Sequence, residues 1–485
     1  MDKKVPDLSI LVSKTNNGSI VAPAGFGKTE EIAKASSLSK GRQLILTHTH
    51  AGVDSLKRRM VRLRVRPESY QVETIASWCL KYVSSFPSTT AFNPEGKNQK
   101  GYWNTIYKKC KTIVDSGVLD RIITASYVGL YVDEYQDCSI TQHEIIKSLS
   151  RLMNTCVFGD PLQAIFSFGG QVSVDWDKNV YPAFPLIETL KTPWRWRSAD
   201  NDALGDWLKK VRLDLQNQKN IDLRNSPACI VWQSIPQKSK TNFLQRNRAI
   251  VDSAHAICDN SNDRVVIIGD SIIEKSRANI AKLLSKRGFK NIEPVTCRRL
   301  ISAVKDIEAK SGIETVYSIL NFCADCMTGA NKGPIKNSII SHHKGKKAGA
   351  KLYGEIVKHA LKYDISGNLK NLLAFIRAIK LQDGIYIYRS ELFSSMEASL
   401  ELSIQSGVGL SDSAWTIQNT RRHAGRKIGR RSLGSTLLVK GLEFEKIMII
   451  DACTLDTKNL YVALTRATKE LRILSSSPIL KPHNN

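Results

Sequence analysis

The chain has 485 residues, 42% of them hydrophobic, and carries 71 Lys and Arg against 45 Asp and Glu, for a formal net charge of +26. Such a length exceeds one compact core, and such a hydrophobic share excludes a tail-like disordered chain, so a globular protein of two or more domains is expected. The excess charge would repel itself unless a polyanion shared the surface, which points to nucleic acid; no apolar run approaches bilayer length and no lipidation signal is present, so a membrane is not the expected partner.

Met1 to Pro6 is followed by only a brief apolar stretch without a small-residue cleavage site, which does not read as a secretory signal. Ten cysteines are scattered without a framework, as in a reducing cytoplasm. Cys323 and Cys326 lie close together with His342-His343 downstream, and two buried cysteines are a better reading of that spacing than a zinc site.

The first element is a short strand, Ser19-Ile20-Val21. It runs into Ala22-Pro23-Ala24-Gly25-Phe26-Gly27-Lys28-Thr29 and then a helix beginning near Glu30. Strand, glycine-rich turn, Gly-Lys-Thr and helix form a phosphate site. Gly25 and Gly27 let the backbone turn its N–H groups inward, and the helix N-terminus adds positive charge. Lys28 would neutralise the β- and γ-phosphates of ATP, and the Thr29 hydroxyl would ligate Mg2+.

Gln43 to Thr47 predicts the next strand, ending in Thr47-His48-Thr49-His50 before a basic helix over 51–60. Hydroxyls and an imidazole there suit contacts to a nucleic-acid backbone. Between Ser77 and Thr124 the sequence is irregular and aromatic, and reads as a small inserted, mainly helical subdomain whose aromatics are mostly core. Val128 to Val132 predicts a buried strand leading into Asp133-Glu134. Acids at the carboxyl end of a parallel strand are placed to hold magnesium (Asp133) and to orient and deprotonate a water (Glu134). Another strand, Asn154 to Phe158, delivers Gln163 and Phe168 to the same sheet edge.

Strands over 264–269, 446–451 and 471–474 alternate with helices, one near 272–286, which predicts a second parallel α/β domain. Residues 291–384 break that pattern with helical periodicity and a basic loop over 344–347. The densest positive run contains Arg421, Arg422, Arg426, Lys427, Arg430 and Arg431, and is assigned to the DNA backbone.

Taken together, A-x-A-G-x-G-K-T, V-D-E-Y-Q-D over 132–137, G-D-x-x-Q-x-I-F over 159–166, R-W-R-S over 195–198, K-G-L-E-F over 440–444 and Y-V-A-x-T-R-A over 461–467 resemble, in order, the motifs of the UvrD/Rep family of superfamily 1 DNA helicases. The resemblance implies an α/β chain of two RecA-like P-loop domains, each with a small mainly helical insertion. The implied divisions are 1–77 with 125–185, an insertion over 78–124, 186–290 with 385–485, and an insertion over 291–384. It implies that Gln163 senses the γ-phosphate, that Arg197 and Arg466 reach it from the second lobe, and that Trp196 stacks on the adenine. Ala22, Ala24, Gly441 and Glu443 complete the nucleotide site, while Phe168, His48, Thr47, Thr49 and Thr74 face single-stranded DNA.

The implied activity is ATP-driven 3′-to-5′ movement on single-stranded DNA or at single-strand/duplex junctions. The chain departs from the family in several places. The N-terminal glutamine segment that reads adenine is missing, and Ala76, Gly169 and Leu437 stand where the family has histidine, arginine and histidine. In size and in lacking a nuclease constellation it is similar to compact helicase subunits of Gabija-type phage defence. This suggests, as an alternative, a DNA-stimulated ATPase that regulates a separate nuclease with little unwinding of its own. An RNA-directed enzyme of the same build is a further alternative.

Overall fold

The structure is a computed structural model that describes residues 7–87, 101–166, 172–258, 262–294, 297–330, 332–344, 350–423 and 428–483, with the backbone alone at 350–352, 422 and 423. The chain forms two compact units, Met1–Ile221 with Leu455–Lys469 and Lys481–Asn485, and Asp222–Thr454 with Glu470–Leu480.

In the first unit, β1 (Asn17–Val21), β2 (Gln43–Thr47), β3 (Tyr70–Thr74), β4 (Gly129–Val132), β5 (Asn154–Gly159) and β6 (Leu186–Thr189) line up as β3-β2-β4-β5-β1-β6. Every pairing is parallel. The four inner strands are apolar and buried almost throughout, because helices cover both faces. Alternation divides them cleanly. Ile45, Tyr131 and Phe158 join Ile32, Ala33 and Leu56 on one face, while Leu44, Leu46, Leu130 and Val132 join Trp78, Ile145 and Ile146 on the other.

The helices Ile75–Ser85 and Tyr102–Asp115 carry the aromatic stretch. Trp78, Tyr82 and Tyr107 are core, whereas Trp103 is exposed; Phe92 lies outside the described residues. The helix Ile140–Leu149 starts at a capping box in which Ser139 and Gln142 satisfy each other's backbone N–H groups.

The second unit holds another six-stranded sheet, in the order Lys290–Asn291, Arg431–Gly434, Val265–Ile268, Phe444–Ile450, Ala467–Ser475, Ile230–Ser234. A helical layer accompanies it: Arg298–Glu308, Gly312–Cys326, Leu369–Lys380, Ser390–Ser406 and Leu410–His423 share one core, which includes Leu300, Phe322, Ile376, Met396 and Ala414. This layer runs past residue 384 to His423. Cys323 and Cys326 are buried in it, and burial pushes both thiols up. Arg389, at the start of the helix Ser390–Ser406, donates to Glu293, ahead of the helix Arg298–Glu308, at 2.7 and 2.6 Å, both side chains being buried. The architecture is α/β, with two RecA-like parallel-sheet domains that each carry a mainly helical insertion.

Among the described residues, no helix is long and apolar enough to cross a membrane, and no group of three or more His, Cys, Asp or Glu is placed to hold a metal ion.

Candidate functional site

β1 ends at Val21, and the turn that follows is fixed at both sides: Ala22 N–H donates to Gly159 O at 2.8 Å and Arg195 N–H donates to Gly25 O at 2.9 Å. Gly25 and Gly27 take φ of 77° and 92°, in the left-handed region that favours glycine. They are also needed for space. A Cβ on Gly25 would lie 2.8 Å from Arg195 Cβ, and one on Gly27 would lie 3.0 Å from Trp194 Cδ1. Gly27 caps the helix Lys28–Leu38, so the first N–H groups of that helix open onto the turn beside Lys28 and Thr29.

β4 carries Asp133 and Glu134 to the same edge. Lys28 Nζ lies 2.9 Å from Asp133 Oδ1 and also pairs with Glu134. Burial alone would lower the lysine pKa, but the two carboxylates outweigh it and the ammonium is held protonated. Burial, aided by Glu134, pushes the Asp133 carboxyl up despite the pull of Lys28. Glu134 itself sits at φ 56°, a left-handed conformation costly for a glutamate and of the kind stored at functional sites. One ammonium therefore faces two acids beside a backbone cradle and a helix N-terminus. This donor set suits a nucleotide's phosphates together with a hard divalent cation, which Asp133 and the Thr29 hydroxyl could ligate.

β5 brings the next group. Asp160 is fully buried. It accepts from Gln163 Nε2 at 3.0 Å, and its own N–H donates to Gln136 Oε1 at 3.0 Å; Gln136 in turn donates to Glu134. Arg466 follows the helix Thr457–Leu464; it is buried and donates to Gln163 Oε1 at 3.3 Å. Ion pairs and hydrogen bonds thus link Lys28, Asp133, Glu134, Gln163 and Arg466 in the first unit, with Thr29 following Lys28 on the same helix.

Arg197 is exposed, and its nearest acid is Asp202 at 3.8 Å. Trp196 is 0% exposed; its Nε1 donates to Ala467 O at 2.7 Å and its ring stands edge-on to Phe26 at 6.4 Å. Trp194, by contrast, is 54% exposed beside Gly27, with the Arg197 guanidinium 5.8 Å from its ring centre. Gly441 (φ 79°) and Glu443 lie in the second unit and are exposed, and Glu443 O accepts from Arg264 at 3.0 Å.

Thr47 and Thr74 are register partners at the carboxyl ends of β2 and β3. Thr49 and Thr74 cap the helices that follow, accepting from Gly52 N and Ser77 N at 3.0 Å each, while the buried Thr47 hydroxyl has no partner among the described residues. His48 is half-buried, with Nε2 3.4 Å from Cys138 Sγ. Phe168, Arg426 and Lys427 lie outside the described residues, and so does the Arg422 side chain.

Of the remaining cationic run, Arg430 is exposed. Arg421 donates to Glu391 O at 2.7 Å, and Arg431 donates to Arg287 O at 2.7 Å. Two of these arginines thus serve the fold, Arg431 because it begins a strand of the second sheet.

Sequence reasoning missed Arg212, on the helix Asp202–Gln216. It is buried in line with Leu204, Leu208 and Leu215. An arginine standing in an apolar stripe at helical spacing was the available signal. Arg212 Nη1 donates to Asp160 Oδ1 at 2.6 Å and to the Tyr461 hydroxyl at 3.2 Å.

A family model described as the UvrD/REP helicase N-terminal domain matches residues 102–173. RecBCD enzyme subunit RecB of Buchnera aphidicola subsp. Schizaphis graminum (strain Sg) is 28% identical over 121 residues, which is 24% of this chain and 10% of RecB. A solved complex of Arterivirus nonstructural protein 10 (helicase) with DNA is similar at a TM-score of 0.36 and 10% identity, over 96% of this chain and 61% of that one. The chain thus spans a small part of RecB and less than two thirds of the viral protein. Residues 102–173, which carry the Asp133-Glu134 strand end and Gln163, match the UvrD/REP helicase N-terminal domain, so this stretch of the chain is similar to UvrD-like helicases.

Proposed function

We propose that this protein is a DNA-dependent ATPase that uses ATP hydrolysis to move 3′ to 5′ along single-stranded DNA and to open duplex at single-strand/duplex junctions. The observation that carries the reading is Lys28 facing Asp133 and Glu134 beside the Gly25–Gly27 turn. With ATP bound, Lys28 would leave the acids for the β- and γ-phosphates, freeing Glu134 to orient a water and accept its proton. Mg2+, held by Asp133 and Thr29, would supply charge neutralisation on the phosphates. Gln163 and Arg466 would meet the γ-phosphate, and Arg197 would reach it only by moving. The exposed face of Trp194 is the proposed platform for the base, with Trp196 as its anchor. Gly441 and Glu443 remain proposed nucleotide contacts. The Thr47, His48, Thr49 and Thr74 edge of the first unit is a proposed path for the DNA backbone, and Arg430 is a proposed backbone contact of the second unit.

The test is ATP turnover by purified protein with and without single-stranded DNA. Wild type should be stimulated by DNA. Lys28→Ala and Glu134→Gln should each lose about 100-fold or more in kcat, the scale for removing a charge stabiliser or a general base. Turnover of wild-type magnitude by Lys28→Ala would remove the site assignment.

A second reading has its own support. RecB is by name a subunit of a larger enzyme, and Leu437, where the family has a histidine, is 44% exposed. On that reading the chain is a DNA-sensing ATPase subunit beside a nuclease. DNA-stimulated hydrolysis without strand displacement by the isolated chain would favour it.

A further inference from the structure

Arg212 and Tyr461 are two buried side chains that the hydrolytic roles above leave unused. The Tyr461 hydroxyl accepts the Ala24 N–H of the phosphate turn at 3.3 Å and Arg212 Nη1 at 3.2 Å. The same Nη1 donates to Asp160 Oδ1 at 2.6 Å. Asp160 Oδ2 accepts Gln163 Nε2 at 3.0 Å, and Gln163 Oε1 accepts Arg466 Nη2 at 3.3 Å. An unbroken chain of hydrogen bonds therefore runs from the turn that would hold the phosphates to the glutamine and arginine that would face the γ-phosphate. Arg212 stands at its centre, only 5% exposed, against an Asp160 that is 0% exposed.

The chemistry of the arrangement argues for more than packing. A buried ion pair is no better for stability than apolar side chains of the same volume, whereas it fixes orientation. Arg212 Nη2 finds no partner among the described residues. A fold that needed only filling between Leu208 and Leu215 would not carry an incompletely satisfied guanidinium. The two N–H groups of Nη1 lie at fixed angles in the guanidinium plane, one towards the carboxylate and one towards the phenol oxygen, whereas a lysine ammonium on its flexible stem is a point charge that fixes neither direction.

We propose that Arg212 is a positioning residue, which through Asp160 and Tyr461 ties the Gln163–Arg466 pair to the phosphate turn, so that both stand in register when the γ-phosphate is cleaved. The inference rests on the ATPase reading of the site. It predicts that the clamp acts on the transition state more than on ground-state binding.

The test compares ATP turnover by wild type, Tyr461→Phe, Arg212→Lys and the double variant, with thermal melting of each. Tyr461→Phe removes one oxygen and should lower kcat by about tenfold or more with KM within about threefold, the signature of an interaction made in the transition state. Arg212→Lys should do the same. The double variant should be no worse than the poorer single variant, because both break one link.

Single variants that keep kcat within about twofold of wild type, or losses that multiply in the double variant, would overturn the proposal. A Tyr461→Phe protein without a cooperative melt would also overturn it, marking the cluster as a stability element. Wild-type protein that hydrolyses no ATP would instead remove the ATPase reading, and this inference with it.

Discussion

Lys28 has two possible claimants, and their charges decide what each substitution does. With two carboxylates on it, Lys28→Ala leaves the buried Asp133 and the partly exposed Glu134 without their counter-charge. The variant should therefore lose hydrolysis and also bind divalent cation more tightly in the absence of nucleotide, which titration calorimetry with Mg2+ would show. The two tryptophans separate in the opposite sense. Trp196 is enclosed and hydrogen-bonded to Ala467 O, so Trp196→Ala should cost about 3–5 kcal/mol of stability by the cavity it leaves. Trp194 is half in solvent, so Trp194→Ala should melt within a few degrees of wild type while raising the KM for ATP. Equal melting temperatures for the two variants would contradict the assignment of anchor and platform.

At the scale of elements, the helix Ile140–Leu149 adds a pH-sensitive contact beneath the acid pair. His143 Nδ1 lies 2.8 Å from the Tyr135 hydroxyl, and Tyr135 directly follows Glu134. Burial lowers the His143 pKa below the ordinary histidine value of 6.5, with Glu144 opposing and Lys147 assisting. A depressed folded-state pKa means the unfolded chain binds the extra proton first. The contribution is therefore intact above pH 6.5 and is lost as pH falls through the lower folded value. Thermal melts of wild type should drop below that pH more steeply than those of His143→Gln; parallel curves would show that His143 does not carry the effect.

The same scale shows what could be read in advance. The phosphate turn, the acid pair and Gln163 were legible because each is a contiguous segment whose backbone geometry demands particular residues: glycine at positive φ, or acids at a strand end. The link from Arg212 to Tyr461 joins residues 249 apart, and no local pattern announces it. The helix Ser390–Ser406 was hidden by its serines. Ser395 and Ser399 occupy buried positions by donating to the carbonyls of Glu391 and Ser395, each at 2.7 Å, so a core face reads as polar. β6 was missed because it is an edge strand whose residues are only partly buried.

For the whole molecule, the charge of +26 is the property that no local site accounts for. If it serves DNA, binding to single strands should weaken steeply with salt, by about tenfold or more between 50 and 200 mM, as counter-ions compete for the backbone. Loss of Arg430 should reduce that slope uniformly across sequences, because a phosphate contact carries no base information. Affinity indifferent to salt would assign the charge to another partner.

Directed, ATP-driven movement on single-stranded DNA can be read from displacement of streptavidin from end-biotinylated oligonucleotides. The predicted result is ATP-dependent release from the 5′ end and none from the 3′ end, abolished in Glu134→Gln. Release from the 3′ end alone would contradict the direction of movement. No release from either end, by protein whose hydrolysis DNA still stimulates, would contradict the motor and leave a DNA-sensing ATPase.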